Sequence, residues 1–191
     1  MEKYISLTLD FILSPKNTIE KLKQNNLPGF ALFIFILAVF TQALANQVVL
    51  SADSSHSVPL LYINFLFWLA VLLSIFVLYL AWIHFVSSMF HKEGNIKTAI
   101  TAGALCFIPL FLAFPFSSIF AAFSPSPVEW YSGLMSIIGL WILILFFISI
   151  KNTYSLSGSQ TITILISPIV FIPVFLVISI LGIMILVMSF S

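Results

Sequence analysis

The sequence predicts an all-α membrane protein: five transmembrane helices with a short N-terminal amphipathic helical leader, the N-terminus inside and the C-terminus outside. Three observations predict it. The 191 residues are 61% hydrophobic and 7% charged, against about 45–50% and about 25% in soluble proteins. So few charges cannot screen that much apolar surface from water, so lipid must solvate most of it. Five long stretches carry no Lys, Arg, Asp or Glu. All seven basic residues are lysines, and they fall only in alternate gaps between those stretches. Lys3, Lys16, Lys21 and Lys23 precede the first stretch, Lys92 and Lys97 separate the second from the third, and Lys151 follows the fourth. Loops that stay in the cytoplasm retain basic residues, so the pattern sets both span count and orientation.

Residues 1–27 read as a cytoplasmic amphipathic leader and residues 28–191 as the transmembrane domain. In Met1–Leu13, Ile5, Leu9, Phe11, Ile12 and Leu13 lean to one side, away from Lys3, Ser6 and Asp10. Ser14 then reads as an N-cap, with Pro15 at the first helical position, where its missing amide costs nothing. The second leader helix pairs Lys16 with Glu20 at i,i+4 and presents Ile19 and Leu22 together. Lysines above an apolar face suit a helix lying on the membrane surface.

A helix needs about 20 apolar residues to cross about 30 Å of hydrocarbon. The spans fall at about 28–50, 59–87, 96–123, 130–150 and 161–190. Pro28-Gly29 opens the first, and Ser51–Ser57 is an outer loop. His91–Asn95 is an inner turn, Ser124–Pro127 an outer one, and Lys151–Ser159 the last inner loop. Tyr62, Trp82, Trp130, Tyr131 and Tyr154 lie near span ends, where amphipathic rings favour the headgroup zone. Pro109 and Pro115 should bend the third span, and Pro168 and Pro173 the fifth. Each frees a carbonyl that only a neighbouring helix, a Ser or Thr side chain or water can satisfy in lipid. A re-entrant hairpin about Pro168–Pro173 would instead return the C-terminus to the cytoplasm.

Two polar groups lie within the spans. His84, Ser87, Ser88 and His91 recur at i, i+3, i+4 and i+7 on the second span and should share one face. Histidine in a membrane can relay protons or bind metal, but no Asp or Glu lies within a span to complete a metal site, so an interhelical hydrogen bond is the better reading. Gln42 and Asn46 on the first span can face Asn64 on the second. Such amides glue helices together or line a small polar vestibule. No GxSxG, HExxH or GKS/T motif is present, so no catalytic, cofactor or metal residue is assigned and no enzymatic activity is expected. Without arginine or a basic cluster the chain has no nucleic-acid footprint. The single Cys106 allows no intrachain disulfide and reads as a small core residue.

Leu13–Lys23, with its Ser-Pro step, and Gly94–Gly103 running on through Cys106 to Pro109 resemble the Yip-domain family (Ypt-interacting proteins and their bacterial relatives). The resemblance covers nearly the whole chain. It implies five spans with the N-terminus in the cytosol, no known catalysis or cofactor, and action through lipid, membrane-protein partners or self-association. Eukaryotic members, linked to Rab-type GTPases, carry an acidic Asp-Leu-x-Gly-Pro element before the first span. Here Asn26-Leu27-Pro28-Gly29 stands in that slot, keeping Gly29 without the acid, and the long cytosolic N-terminal region is absent. Both departures argue against Rab-type GTPase binding and for a bacterial inner membrane over the Golgi or ER. The rival is a small-solute channel or transporter using the kinked third and fifth helices.

Overall fold

The computed structural model describes residues 2–24, 27–52, 60–92, 94–171 and 173, all in helices or short connections with no strand among them. The order is α1 (Glu2–Leu13), α2 (Pro15–Gln24), α3 (Pro28–Ala52), α4 (Leu61–Met89), α5 (Ile96–Leu105), a 3-10 turn (Ile108–Leu112), α6 (Ala113–Phe123) and α7 (Pro127–Thr153). A shorter apolar helix, α8, follows at Gly158–Phe171. Helices α3, α4, α7 and the broken unit Ile96–Phe123 are each long and apolar enough to cross a membrane. The fate of the fifth span beyond Pro173, crossing or re-entrant, lies outside the described residues.

The central element is α3, which packs on α4, α5, the 3-10 turn and α6. Its buried stripe includes Ala31, Ala38, Ala43 and Ala45, and side chains this small let helices approach closely in lipid. Helix α7 runs longer than the 130–150 expected. Pro127 opens it at a position needing no amide, Glu129 complements the dipole in its first turn and Lys151 does so in its last. Charged residues at span ends therefore extend the helix beyond its apolar stretch.

The third span breaks where Pro109 stands. Helix α5 stops at Leu105, a 3-10 turn follows, and α6 restarts at Ala113. Pro115 thereby falls in the first turn of α6, where a missing amide has no intrahelical bond to lose. Rings pin the break: Phe107 lies edge-on to Phe35 at 4.8 Å and to Phe76 at 6.0 Å, and Phe35 stacks on Phe76 at 5.4 Å. A Cβ added at Gly103 would sit 2.9 Å from the Phe76 ring, so that glycine admits the cluster. Cys106 is fully buried at the break, its thiol donating to the Ala102 carbonyl at 3.2 Å and lying 3.3 Å from Ser149 Oγ on α7.

The leader packs on the bundle through the apolar face of α2. Helix α2 packs on α7 and α5, and Phe11, Ile19 and Leu22 are buried in one core with Ala99, Ile150 and Tyr154. Ile19 and Leu22 thus face protein. On α1, Phe11 points inward while Leu9 and Leu13 point outward, so these do not share one side. The leader's ion pair is Lys21 with Asp10 at 3.2 Å, across the α1–α2 hairpin, in place of Lys16 with Glu20. The Tyr4 ring lies tilted against Phe30 at 4.6 Å, which sets α1 beside the first turn of α3.

Candidate functional site

Three polar constellations lie within the bundle. The first is at the lysine-bearing end, where α4 and α7 both terminate. His84 Nδ1 lies 3.2 Å from the Tyr154 hydroxyl. Tyr154 is the residue closing α7, almost fully buried, and burial pushes its phenol up to about 12. The neutral hydroxyl is therefore retained and available to the imidazole at any ordinary pH. Gly94 lies against the same ring, and a Cβ there would run into Tyr154.

The expected shared face of His84, Ser87, Ser88 and His91 keeps its first three members on α4 and loses the fourth. Helix α4 ends at Met89, and His91 adopts a left-handed conformation with φ 53°. The amides of His91 and Lys92 return to the Ser88 and Ser87 carbonyls at 3.0 and 3.2 Å. This is a Schellman closure with histidine in the place usually held by glycine, so His91 caps the helix and leaves its face. Ser88 Oγ donates to the Phe85 carbonyl at 2.6 Å, while Ser87 Oγ is buried with no hydrogen-bond partner. Helix α7 closes the same way, with Ser155 at φ 52° and the Leu156 amide on the Lys151 carbonyl at 2.9 Å.

The second constellation surrounds Pro168 in α8. Its missing amide would have bonded the Ile164 carbonyl. Ser167 Oγ donates to that carbonyl at 2.7 Å and accepts from Trp82 Nε1 at 2.8 Å. Tyr79 donates its hydroxyl to the next carbonyl, Leu165, at 2.6 Å. Helix α4 thus supplies donors where the proline removes one. Pro173 is helical and exposed.

The third lies at the opposite end, between α3, α4 and α7. A cavity of about 430 Å³ is lined by Asn46, Asn64, Trp68, Tyr131, Ser132 and Met135 among others. Asn64 Nδ2 donates to the Ala43 carbonyl at 3.5 Å, not to Gln42 or Asn46. Tyr131 is 8% exposed, and its hydroxyl is buried without a partner. Gln42 is half-buried on α3 and does not line the cavity. Pro15 begins α2, and Gly29 lies in the first turn of α3 with open space where a side chain would go.

Tyr79, Trp82, Tyr131 and Tyr154 carry these constellations, whereas their positions in the sequence suggest the headgroup zone for Trp82, Tyr131 and Tyr154 and no role for Tyr79. Their signal is present in one respect: each lies on a span or at its end near a Ser, His, Asn or a carbonyl beside a proline. Among the described residues no three His, Cys, Asp or Glu side chains are grouped to hold a metal ion.

Comparison with curated proteins and with solved structures returned no match. The family model of the Yip1 domain matches residues 9–187, from the middle of α1 to four residues short of the C-terminus. With that match over nearly its whole length and four helices fit to cross a bilayer, the chain is an integral membrane protein that belongs to the Yip1 domain family.

Proposed function

We propose that this protein has a non-catalytic role in membrane organisation or a trafficking-like process, acting through contacts with lipid and with membrane-protein partners or further copies of itself. The observation that carries the reading is where the intramembrane polar groups go. His84 meets Tyr154, Cys106 meets Ser149, and Tyr79, Trp82 and Ser167 serve the backbone around Pro168. These groups hold helices together and do not converge on a reactive centre. Exposed side chains of α4 include Leu66, Phe67, Leu73, Ile75, Val77 and Leu78, an apolar surface suited to lipid or a partner helix.

In this reading residues 1–27 form a cytoplasmic unit joined to the membrane domain, the lysine-bearing end faces the cytoplasm, and the membrane is a bacterial inner membrane. The lysine distribution supports the orientation, and the loss of the acid before Gly29 supports the bacterial placement and argues against a Rab-type GTPase as partner. Reconstitution into proteoliposomes with a panel of small solutes tests the central claim. No saturable flux is expected. Robust flux abolished by Gln42→Leu or Asn46→Leu would replace this reading with that of a transporter. Affinity purification of the protein from its native membrane should return specific membrane-protein partners or the protein's own oligomer.

A further inference from the structure

Helices α4 and α7 touch at the lysine-bearing end, through Tyr79 with Phe146 at 5.6 Å and His84 with Tyr154. At the opposite end the cavity of about 430 Å³ separates them, with Asn46 and Val49 of α3 on its wall. The two helices therefore form the sides of a cleft that narrows toward the lysines. Its volume is in the range of about 300–1,000 Å³ usual for small-molecule sites.

The chemistry of the walls is specific. Apolar side chains, Trp68 and Met135 among them, make most of the surface, and Asn46, Asn64, Tyr131 and Ser132 supply hydrogen-bonding groups. No lining residue carries a formal charge. Glu129, one turn away, lines a separate groove on α7 together with Phe116, Phe120 and Trp130. A phosphate in the cleft would have no cation to meet it and would bear the full cost of desolvation. An uncharged hydroxyl would find partners at once. Tyr131 has a buried hydroxyl with none, Asn46 makes no hydrogen bond among the described residues, and Asn64 holds only a long one at 3.5 Å. A buried hydroxyl without a partner, as on Tyr131, costs about 1–3 kcal/mol, and the half-buried Asn46 and Asn64 add donors and acceptors beside it, so the cleft favours an occupant that can both donate and accept.

We propose that this cleft binds the free hydroxyl end of an uncharged glycerolipid, a diacylglycerol-type molecule, whose acyl chains leave between α4 and α7 along the exposed Ile63, Leu66 and Phe67. The proposal deepens the lipid-contact role above and rests on it. The exit between two spans favours a lipid over a water-soluble polyol, because apolar chains can follow the helix flanks into the surrounding hydrocarbon.

The test uses the full chain in phosphatidylcholine nanodiscs with a diacylglycerol carrying a diazirine on one acyl chain. Cross-links should map to residues 60–69 and 128–137. Unlabelled diacylglycerol should compete, whereas phosphatidic acid of the same chains and free glycerol should not. Tyr131→Phe removes only an oxygen without a partner, so the fold should survive while labelling affinity falls about two- to tenfold. Asn46→Leu with Asn64→Leu should reduce it more than tenfold. Competition by phosphatidic acid equal to that by diacylglycerol would overturn the proposal. So would displacement by glycerol alone, cross-links spread evenly over α4, or unchanged labelling of Tyr131→Phe. Each of these is separate from solute flux, which bears on the broader reading alone.

Discussion

Replacing Tyr79 with Phe should cost this protein stability only while Pro168 is present. The phenol donates to the Leu165 carbonyl at 2.6 Å, beside the Ile164 carbonyl that Pro168 deprives of its amide and that Ser167 serves at 2.7 Å. Tyr79→Phe keeps the ring against Phe146 and removes the donor. Interhelical hydrogen bonds in membranes contribute about 0.6–2 kcal/mol, and the carbonyl left behind has no water to turn to. The expected loss is therefore about 1–2 kcal/mol. In Pro168→Ala the amide returns to the Ile164 carbonyl, the turn regularises and the neighbouring Leu165 carbonyl depends less on the phenol. Tyr79→Phe in that background should cost under about 0.5 kcal/mol, giving a coupling of about 1 kcal/mol. Reversible unfolding of the four proteins in bicelles measures the cycle. An equal cost of Tyr79→Phe in both backgrounds would show that the phenol does not act through the proline break.

Three further outcomes are expected. Gly94→Ala drives a methyl into the Tyr154 ring and should destabilise by about 1–3 kcal/mol; thermal unfolding in detergent checks it, and pairing it with Tyr154→Ala should recover part of the loss. Ile19→Ala removes a fully buried side chain from the leader's seat on the bundle and should cost about 2–5 kcal/mol, whereas Leu13→Ala, largely exposed, should cost under about 0.5; protease sensitivity of the leader distinguishes them. With Cys106→Ser and single cysteines at 92, 126, 151 and 191, an impermeant maleimide should reach 92 and 151 only from the cytoplasm, and 126 and 191 only from outside. Labelling of 191 only from the cytoplasm would make the fifth span re-entrant.

The helical class and the long apolar helices are legible because charge is so scarce: Asp53, Lys92, Glu129 and Lys151 bracket the spans like punctuation. Proline carries equally direct information, and the third span breaks where Pro109 forbids a helical hydrogen bond. The leader is different. Ile19 and Leu22 on one face of α2 satisfy the requirements of a lipid surface and of a protein surface alike, and periodicity alone cannot separate the two. The aromatic residues near span ends were ambiguous for a similar reason. A tyrosine with an apolar body and a polar tip suits the headgroup zone, yet Tyr154 is 1% exposed and serves His84 and Gly94 instead. Which partner a polar tip finds depends on how helices distant in sequence are placed, and residue 84 meets residue 154 only once α4 and α7 are assembled.

The seating of the leader against α7 has a consequence for biosynthesis. Leu22 leaves the ribosome 105 residues before Pro127, the start of the helix that covers it. At about 5–20 residues per second, that interval lasts roughly 5–20 s. For that time the first segment made lacks the larger part of its seat, with only α5 arriving earlier, while three hydrophobic segments enter the bilayer ahead of α7. The amino terminus of this protein is thus among its last parts to become native. A chain halted before α7 leaves Ile19 and Leu22 without their seat, a mark of incompleteness that quality-control proteases and chaperones can read.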